Sequence, residues 1–203
     1  MRRTREAAAQ TREQLLRAAL SCFLEHGYAA TTLEEVARRA GTTRGAIQWH
    51  FGSKADLFNT LVREQYERAA RKLLPLYRRD SAPLETLRAI LLAWLSYPEE
   101  DADFRAMLEL TTMRTGMLPE LQSGIEEKVQ AVQASIAHFA ALLRRAREAG
   151  EIRAEVVPEQ AATAAYSLIV GLSSLWLLNP SAFSLRAYAT EAVEIFIRGL
   201  RRS

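Results

Sequence analysis

Residues 32–56 contain three helix starts in close succession. The segments TLEE (32–35) and SKAD (53–56) are capping boxes, in which a hydroxyl side chain begins a helix and an acidic residue stands three positions later. Thr43 is placed to cap a further helix between them. Before these caps, an apolar stripe over residues 10–26 ends at Gly27, a natural helix terminator. The pattern predicts a small unit of three helices, followed by a long fourth helix.

The spacing of Ala37, Gly41 and Ile47 indicates how the second and third helices pack. Two helices that cross steeply need a small residue at their closest approach, which Ala37 supplies. The turn between them needs a residue that tolerates positive φ, which Gly41 supplies, and Ile47 fills the small core. This spacing is typical of a helix-turn-helix, whose second helix enters the major groove of DNA. A generic helical hairpin with the same caps is the alternative.

Composition favours an all-α fold. Of the 203 residues only nine are Gly and six are Pro, and we find no convincing run of β-branched residues at period two. Beyond residue 80, apolar periodicity and helix-end signals predict five more helices. They cover about 83–97, 101–114, 120–149, 158–178 and 184–200.

Charge is distributed unevenly along the chain. Residues 1–54 contain nine Lys and Arg against five Glu, whereas the whole chain carries a net charge of only +3. The remaining residues are therefore close to neutral. A basic N-terminal unit joined to a neutral body suggests an anionic partner at that end, although a solvated surface would show the same excess.

Few side chains in the sequence suit catalysis or metal binding. Cys22 is the single cysteine, which excludes internal disulfides and a cysteine-rich zinc site, and its apolar surroundings predict burial. The histidines, at 26, 50 and 138, have no carboxylate or cysteine at ligand spacing. The sequence shows no nucleophile–base pair and no phosphate-binding loop. We therefore expect neither an enzyme nor a metal or other cofactor.

If the third helix reads DNA, its residues divide by face. Ile47 and Phe51 point inward, which leaves the polar residues for the outward face and its flanks. Arg44 suits the O6/N7 edge of guanine and Gln48 suits an adenine edge, while Gly45 lets the backbone approach the bases. The predicted DNA contacts are Thr32, Thr42, Thr43, Arg44, Gly45, Gln48, His50 and Lys54.

Phosphate contacts are expected around the same helix. Thr43 and the helix N-terminus can hold a phosphate through the hydroxyl, the backbone N–H groups and the helix dipole. Lys54 and Thr32 are placed for phosphates on either side, and His50 suits a phosphate or capping contact. The arginines within residues 2–5 suit a flexible arm in the adjacent groove.

The segment AATAAYSLIVGLSSLWLL (161–178) has 18 residues without a charge, which is near the lower limit of a membrane span. Its hydroxyl residues, its many alanines and its lack of basic flanks favour instead a helix buried on most sides. The charged N-terminus shows no signal peptide, so we expect a cytoplasmic protein without a membrane segment. Helices 158–178 and 184–200 are the expected homodimer surface, as a four-helix bundle. Burial inside a monomer is the alternative.

The segment TRGAIQWHFGSKADLF, preceded by TTLEEVARRAG, closely resembles the DNA-binding region of TetR-family repressors, whose usual string is GVTRGAIYWHF. This part of the resemblance covers about residues 10–60. The segment GLSSLWLLNPSAFSL is similar to the junction of the eighth and ninth helices in the branch that represses multidrug efflux pumps. The resemblance implies a nine-helix fold, a homodimer built on the last two helices, and a ligand cavity in each body.

The resemblance also divides the chain and suggests a mechanism. It implies a helix-turn-helix domain over 1–53 and a ligand-binding and dimerisation domain over 54–203, with helix 54–79 as the connector. The protein would bind double-stranded DNA at a palindromic operator and leave it when a small hydrophobic effector enters the cavity. An efflux pump operon would be its target. The alternative is a helical ligand-binding or scaffolding protein that no longer binds DNA, against which the cations around the third helix argue.

Methionine and aromatic side chains suit a pocket that accepts varied apolar ligands. The candidate effector residues are Tyr66, Trp94, Met107, Met113, Met117, Phe139, Tyr166, Val170 and Ser174. Four of them, at 66, 113, 170 and 174, fall at pocket positions by the resemblance to efflux-pump repressors. Relatives often carry charged or polar groups there, so an uncharged or weakly polar ligand is expected. Ordinary core packing is the alternative for each residue.

Overall fold

The computed structural model describes residues 2–77, 81–115 and 118–202. Across these residues the chain forms nine α-helices, and its only β-type pairing is an isolated bridge between Ile152 and Arg201. The all-α, nine-helix fold is thereby confirmed. The helices are α1 (Arg2–Ala30), α2 (Leu33–Arg39), α3 (Arg44–Phe51), α4 (Lys54–Tyr77), α5 (Pro83–Glu100), α6 (Ala102–Glu109), α7 (Gln122–Glu148), α8 (Pro158–Leu178) and α9 (Leu185–Leu200).

Helix α1 is longer than the helix expected over 10–26. Its backbone is helical from Arg2, so the flexible arm predicted for residues 2–5 is wrong. The segment REAAAQ (5–10) consists mainly of strong helix formers, which explains the early start. Gly27, with a φ of 77°, interrupts the helix where the sequence predicted its end, and helical residues continue to Ala30.

The predicted caps form at the starts of α2, α3 and α4. The hydroxyl oxygens of Thr32 and Thr43 accept hydrogen bonds from the backbone N–H groups of Glu35 and Ala46, each at 3.2 Å. Ser53 caps α4 in the same way at 3.0 Å. A cap of this kind contributes about 1 kcal/mol. The three short connections in this region are therefore fixed by local hydrogen bonds.

The turn between α2 and α3 has the geometry that the sequence predicted. Gly41 adopts a φ of 66°. Val36 and Ile47 are fully buried and Ala37 is nearly so, which allows the two helices to approach closely. The helix-turn-helix predicted from this spacing is confirmed.

The contacts divide the chain into two compact units. The N-terminal unit contains the described residues up to Glu67 together with Asp103–Glu126, and the C-terminal unit contains Arg68–Ala102 together with the residues from Glu127 onward. The boundary expected at residue 53 divides the chain by function rather than by contact, and it stays a prediction.

The core of the N-terminal unit fixes α3 against its neighbours. Phe23, Tyr28 and Phe58 form an aromatic trio with ring centroids 5.1–5.7 Å apart. Leu110 and Leu121, from the segment that follows α6, are buried in the same cluster. The elements that hold the helix-turn-helix therefore include residues far from it in the sequence.

In the C-terminal unit, α5 packs against α8 and α9. The buried side of α5 contains Leu87, Ile90 and Leu91, all fully buried. At its other end, the Glu99 carboxylate accepts hydrogen bonds from the first backbone N–H groups of α9, those of Leu185 at 2.7 Å and Arg186 at 3.0 Å. A carboxylate at a helix N-terminus is favoured by the helix dipole, so Glu99 of α5 adds to the local cap at the start of α9, where the Ser184 hydroxyl accepts from the Ala187 N–H at 3.3 Å.

The sixth helix is shorter than expected and continues differently. α6 ends at Glu109, and a π-helical turn follows over Leu110–Arg114. Here the Thr111 hydroxyl donates to the Met107 carbonyl at 3.0 Å. Side-chain hydroxyls that bond to the preceding turn often distort a helix. This competition was not visible in the apolar pattern that predicted a regular helix over 101–114.

Helix α8 is long and apolar enough to cross a membrane by length and composition, a test that core helices of soluble proteins also pass. Only 33% of its most apolar window is buried within the described chain. Val170, Leu175 and Leu178 are exposed. The expected burial on most sides is therefore wrong within the described chain.

Candidate functional site

Helix α3 has one buried face and one exposed face. Ile47 and Phe51 are buried in the N-terminal unit, whereas Arg44, Gln48 and Trp49 are exposed. Trp49 leaves 75% of its surface accessible, which is unusual for the largest apolar side chain. Trp49 was not among the predicted DNA contacts, because those residues were chosen by their polarity. The helical repeat predicts its exposure, since a residue two positions from the buried Ile47 must point away from the core.

The glycine on this exposed face is not required by the protein itself. Gly45 does not have a positive φ, and a Cβ added there would meet only the Thr43 hydroxyl, at 3.7 Å. Within the described chain, neither backbone conformation nor packing requires a glycine. The position instead keeps the exposed surface of α3 flat.

The threonines around α3 use their oxygen atoms as acceptors. Thr32 and Thr43 accept from backbone N–H groups as helix caps. A hydroxyl that accepts can still donate its own proton. Thr42 is half-buried, and its backbone N–H donates to the Ala37 carbonyl at 2.9 Å. These geometries leave the hydroxyl protons of both caps available to an acceptor such as a phosphate oxygen.

Arg44 lies at the first turn of α3 with an exposed guanidinium. Its Nη1 pairs with the Glu34 carboxylate of α2, and both side chains are more than half exposed. Exposed ion pairs contribute little, typically about 0–1 kcal/mol. The pair can therefore be exchanged for another anion at small cost.

Lys54 has quite different surroundings. Its ammonium group donates to three backbone carbonyls at the end of α1, those of Tyr28 at 3.0 Å, Ala29 at 3.3 Å and Thr31 at 3.1 Å. It also lies 4.5 Å from the centroid of the Tyr28 ring. All three ammonium protons are thereby used. The structure places Lys54 as a link between the end of α1 and the start of α4.

His50 is half-buried near the end of α3. Its ring meets the Trp49 ring edge-on at 4.5 Å between centroids. Burial, with a smaller contribution from the positive charge of Arg12, lowers the pKa of His50 below its usual value of 6.5. His50 is therefore neutral at pH 7, when it can form a hydrogen bond to a phosphate but contributes no charge.

The candidate effector residues are distributed over both units. Tyr66, Met107 and Met113 belong to the N-terminal unit, and Trp94, Phe139, Tyr166, Val170 and Ser174 belong to the C-terminal unit. Met117 lies outside the described residues. Met107 and Phe139 are fully buried, whereas Met113 and Val170 are exposed. An effector site made of these residues stays a prediction, and core packing remains the alternative for the two buried ones.

Tyr66 and Trp94 have identified aromatic or polar partners. The Tyr66 ring meets the Phe104 ring edge-on at 5.5 Å within the N-terminal unit. In the C-terminal unit, Trp94 Nε1 donates to the Tyr77 hydroxyl at 2.9 Å. Tyr77 was not among the predicted effector residues, since nothing in its spacing along the sequence connects it with Trp94.

Two open surface grooves stand out among the described residues. One lies in the N-terminal unit beside Arg17 and Arg39, and the other lies in the C-terminal unit beside Val157 and Phe196. Neither is lined by a candidate effector residue. Within the described chain, no group of three or more His, Cys, Asp or Glu residues is arranged to hold a metal ion.

Comparison with known families assigns the chain. The model described as bacterial regulatory proteins, tetR family, matches residues 15–61, and the model of the MAATS-type transcriptional repressor C-terminal region matches residues 82–201. The second match alone covers more than half of the chain. The chain belongs to the TetR family of bacterial transcriptional regulators. The family resemblance seen in the sequence is thereby confirmed.

Similar TetR-family proteins span nearly the whole chain. This chain is 31% identical over 202 residues to the HTH-type transcriptional repressor BepR of Brucella suis biovar 1 (strain 1330). The match covers 99% of this chain and 97% of that protein. The crystal structure of NalD, the secondary repressor of the MexAB-OprM multidrug efflux pump in Pseudomonas aeruginosa, matches with a TM-score of 0.87 at 33% identity. That match covers 98% of this chain and 99% of NalD.

A third TetR-family neighbour is SmeT, the repressor of the Stenotrophomonas maltophilia multidrug efflux pump SmeDEF. Its complex with triclosan matches with a TM-score of 0.82 at 27% identity, covering 95% of this chain and 92% of that one. The chain is thus a TetR-family transcriptional repressor related to repressors of efflux pumps. These relatives are transcriptional regulators rather than enzymes.

Proposed function

We propose that this TetR-family protein is a cytoplasmic, homodimeric repressor of a multidrug efflux operon, and that a small hydrophobic ligand releases it from a palindromic operator. The exposed face of α3 is the observation that carries the proposal. This face presents Arg44, Gln48 and Trp49 on a capped helix, and the opposite face is buried in the core through Ile47 and Phe51. An exposed aromatic and polar face on a helix-turn-helix is suited to the major groove.

Each residue on this face has a role in the proposed complex. Arg44 leaves Glu34 and takes the O6/N7 edge of a guanine, and Gln48 takes an adenine edge. Trp49 supplies apolar contact to a thymine methyl or a sugar. Gly45 allows the backbone to lie close to the bases. The surrounding groups that donate to phosphates are Thr32, Thr42, Thr43 and His50.

Lys54 is assigned a different role from the one that its sequence position suggested. Its ammonium group is held by the carbonyls of α1, so a phosphate contact would require it to give up these hydrogen bonds. We assign it to holding the helix-turn-helix together. The phosphate contacts then come from hydroxyl groups, backbone N–H groups and the helix dipole.

The dimer is proposed to form through α8 and α9. The exposed apolar side chains on these helices are Val170, Leu175, Leu178, Tyr188 and Ile195. Two such helices from each subunit would pack as a four-helix bundle. A two-fold dimer places two α3 helices on the two halves of a palindrome, which doubles the contacts that one short helix makes.

Release is proposed to work through the equilibrium between two settings of α4. This helix begins directly after α3 at Lys54 and runs to Tyr77, so a ligand that favours one setting changes the position of α3. A coupling of about 1–3 kcal/mol weakens operator binding about 5- to 150-fold. A solved structure contains SmeT in complex with triclosan, which makes this compound a suitable first ligand.

The test is a titration of labelled duplex from the region upstream of the gene, followed by fluorescence anisotropy at several salt concentrations. We expect binding that weakens as salt rises, and weakens further when triclosan is added. Arg44→Ala should reduce affinity at least about tenfold. Arg144→Ala removes a comparable exposed arginine that pairs with Glu159 at 2.6 Å, and should leave affinity unchanged. A protein that binds triclosan but no duplex at low salt would support the ligand-binding or scaffolding alternative.

A further inference from the structure

Arg12, on α1, contacts residues of two other helices in the N-terminal unit. Its Nη2 pairs with the Glu64 carboxylate of α4. The same guanidinium lies over the Phe51 ring of α3, with its central carbon 5.4 Å from the ring centroid. A cation over an aromatic face is attracted by the electrons of the ring. One side chain therefore joins α1, α3 and α4, and we call Arg12, Phe51 and Glu64 the Arg12 junction.

The ion pair of the Arg12 junction is partly shielded from water. Its two side chains are each 36% exposed, against 63% and 59% in the pair between Arg44 and Glu34. Water screens charges at the surface, so an ion pair that is partly removed from water is stronger once formed. Breaking the Arg12 pair therefore costs more free energy than breaking the Arg44 pair.

The Arg12 junction lies at the C-terminal end of α3. Phe51 is the last residue of this helix, and Gly52 follows it with a φ of 86°. The first turn has a local cap in Thr43. A helix of eight residues is not stable in water by itself, so tertiary contacts must hold its other end. The guanidinium over the Phe51 ring is such a contact.

The junction is also the second of two ties between α1 and α4. At the start of α4, the Lys54 ammonium donates to the Tyr28 carbonyl near the end of α1. Further along α4, Glu64 pairs with Arg12, near the start of α1. At 1.5 Å per residue, Lys54 and Glu64 lie about 15 Å apart along α4. Two separated ties fix the direction of one helix against another, and at the second tie Phe51 adds the end of α3.

We propose that Arg12 and Glu64 are positioning residues for DNA recognition, and that their ion pair fixes the end of α3 at the angle that the major groove requires. Neither side chain has to touch DNA in this role. They act through Phe51, whose ring moves with α3. The inference rests on the proposed function, since it concerns the same DNA-reading face, and it adds two residues outside the predicted DNA contacts.

Glu64→Gln tests the inference directly, because charge and position predict opposite results. On charge alone, removing a carboxylate from a basic unit raises its affinity for duplex DNA. If the pair positions α3, operator affinity falls instead, and we expect a fall of about three- to tenfold in both Glu64→Gln and Arg12→Gln. Glu13→Gln is the matched control. It removes a carboxylate from an exposed pair within α1, 2.6 Å from Arg17, and should cause no fall.

Fluorescence anisotropy on the full chain compares the operator duplex with an unrelated duplex of equal length at several salt concentrations. The loss should be confined to the operator, because a displaced α3 still meets phosphates. In Arg12→Gln the slope of log affinity against log salt should not change, whereas a lost phosphate contact would reduce it by about 0.9. Affinities refer to the folded fraction, measured by urea denaturation. An operator affinity that stays the same or rises in Glu64→Gln would overturn the inference, and so would the reduced slope.

Hydrogen exchange on the full chain tests the Arg12 junction without DNA. We expect peptides that cover residues 44–52 to exchange about two- to fivefold faster in Arg12→Gln and Glu64→Gln. Peptides around the buried Phe23 of α1 should keep their rate, which a general loss of stability would not allow. An unchanged rate over 44–52 would overturn the inference. If that segment exchanges faster but the unaltered protein binds no duplex, the proposed function fails while the junction is still shown to fix α3.

Discussion

Arg44, the first residue of α3, and Lys54, the first residue of α4, differ in their surroundings. The Arg44 guanidinium is exposed and pairs with the exposed carboxylate of Glu34. The Lys54 ammonium is in contact with three backbone carbonyls and an aromatic ring. Arg44 can exchange its carboxylate for a phosphate at little cost in free energy. Lys54 would have to give up several hydrogen bonds to contact a phosphate. Charge near a recognition helix is therefore not enough to identify a DNA contact.

Replacing Lys54 by Met should lower stability without changing the salt dependence of DNA binding. Hydrogen bonds to a charged group contribute about 1.5–3 kcal/mol, so we expect the free energy of unfolding to fall by about 1–3 kcal/mol in urea denaturation. Each lost phosphate contact would reduce the slope of log affinity against log salt by about 0.9. We expect no such reduction, and a reduction of that size would restore Lys54 as a phosphate contact. Lys128→Met, at an exposed position on α7, is the control for both measurements.

Gln48 is one of two departures from the family string, which has Tyr at this position, and it is the one that lies on the exposed face of α3. It is exposed on α3 beside Trp49. The amide offers one donor and one acceptor to an adenine edge, whereas a tyrosine would offer a single hydroxyl on an apolar ring. We expect Gln48→Tyr to change base preference more than total affinity. Binding-site selection from random duplexes checks this, and the same consensus for both proteins would contradict it.

At the scale of helices, local and distant interactions define different ends. α2, α3 and α4 begin at side-chain caps that reach only three residues along the chain. Their starts could therefore be predicted from the sequence. The π-helical turn after α6 and the capping of α9 by Glu99 depend on competing hydroxyls and on a residue from another helix. The contact of Glu99 with α9 has no local signature, whereas the Thr111 bond is local and is missed by an apolar pattern that records only hydrophobicity.

Close packing between α4 and α7 gives a test at this scale. A methyl group built at Gly124 would overlap the Asn59 carboxamide, whose Nδ2 donates to Ser123 Oγ at 3.1 Å. We expect Gly124→Ala to be about 1 kcal/mol less stable than Gly199→Ala, because the Asn59 side chain must turn away and lose its hydrogen bond to Ser123. The additional change Asn59→Ala should recover part of the loss. Gly199→Ala, at a helical position with open space around it, should not destabilise. The free energies of unfolding are measured by urea denaturation. An unchanged free energy of unfolding for Gly124→Ala would contradict the prediction and show that the Asn59 carboxamide rotates away freely.

For the whole molecule, the exposed apolar side chains of α8 and α9 are the feature that packing within the described chain leaves unexplained. Leu175 is 60% exposed and Ile195 is 61% exposed. Soluble monomers rarely expose large contiguous apolar patches. A partner surface of the same kind would cover these side chains, as the proposed two-fold dimer requires.

Leu175→Asp should therefore convert the protein to a monomer, because it places a carboxylate from each subunit in an apolar contact. We expect sedimentation velocity to show half the molecular mass, and operator affinity to fall by at least about tenfold. Val129→Asp is the matched control, since Val129 is 48% exposed on α7 and lies outside the proposed dimer surface. A dimer that persists in the Leu175 variant would move the interface away from α8.

The sequence by itself determined the all-α class, the helix-turn-helix and its caps, and which residues of α3 face the core. These features follow from interactions between residues a few positions apart, so residue spacing in the sequence is enough to predict them. Only the tertiary structure decided that Lys54 binds the backbone carbonyls of Tyr28, Ala29 and Thr31, that α8 keeps an uncovered apolar side, and that Tyr77 contacts both Trp94 and His138. Each of these depends on which distant segments pack together, and residue spacing alone does not contain that information.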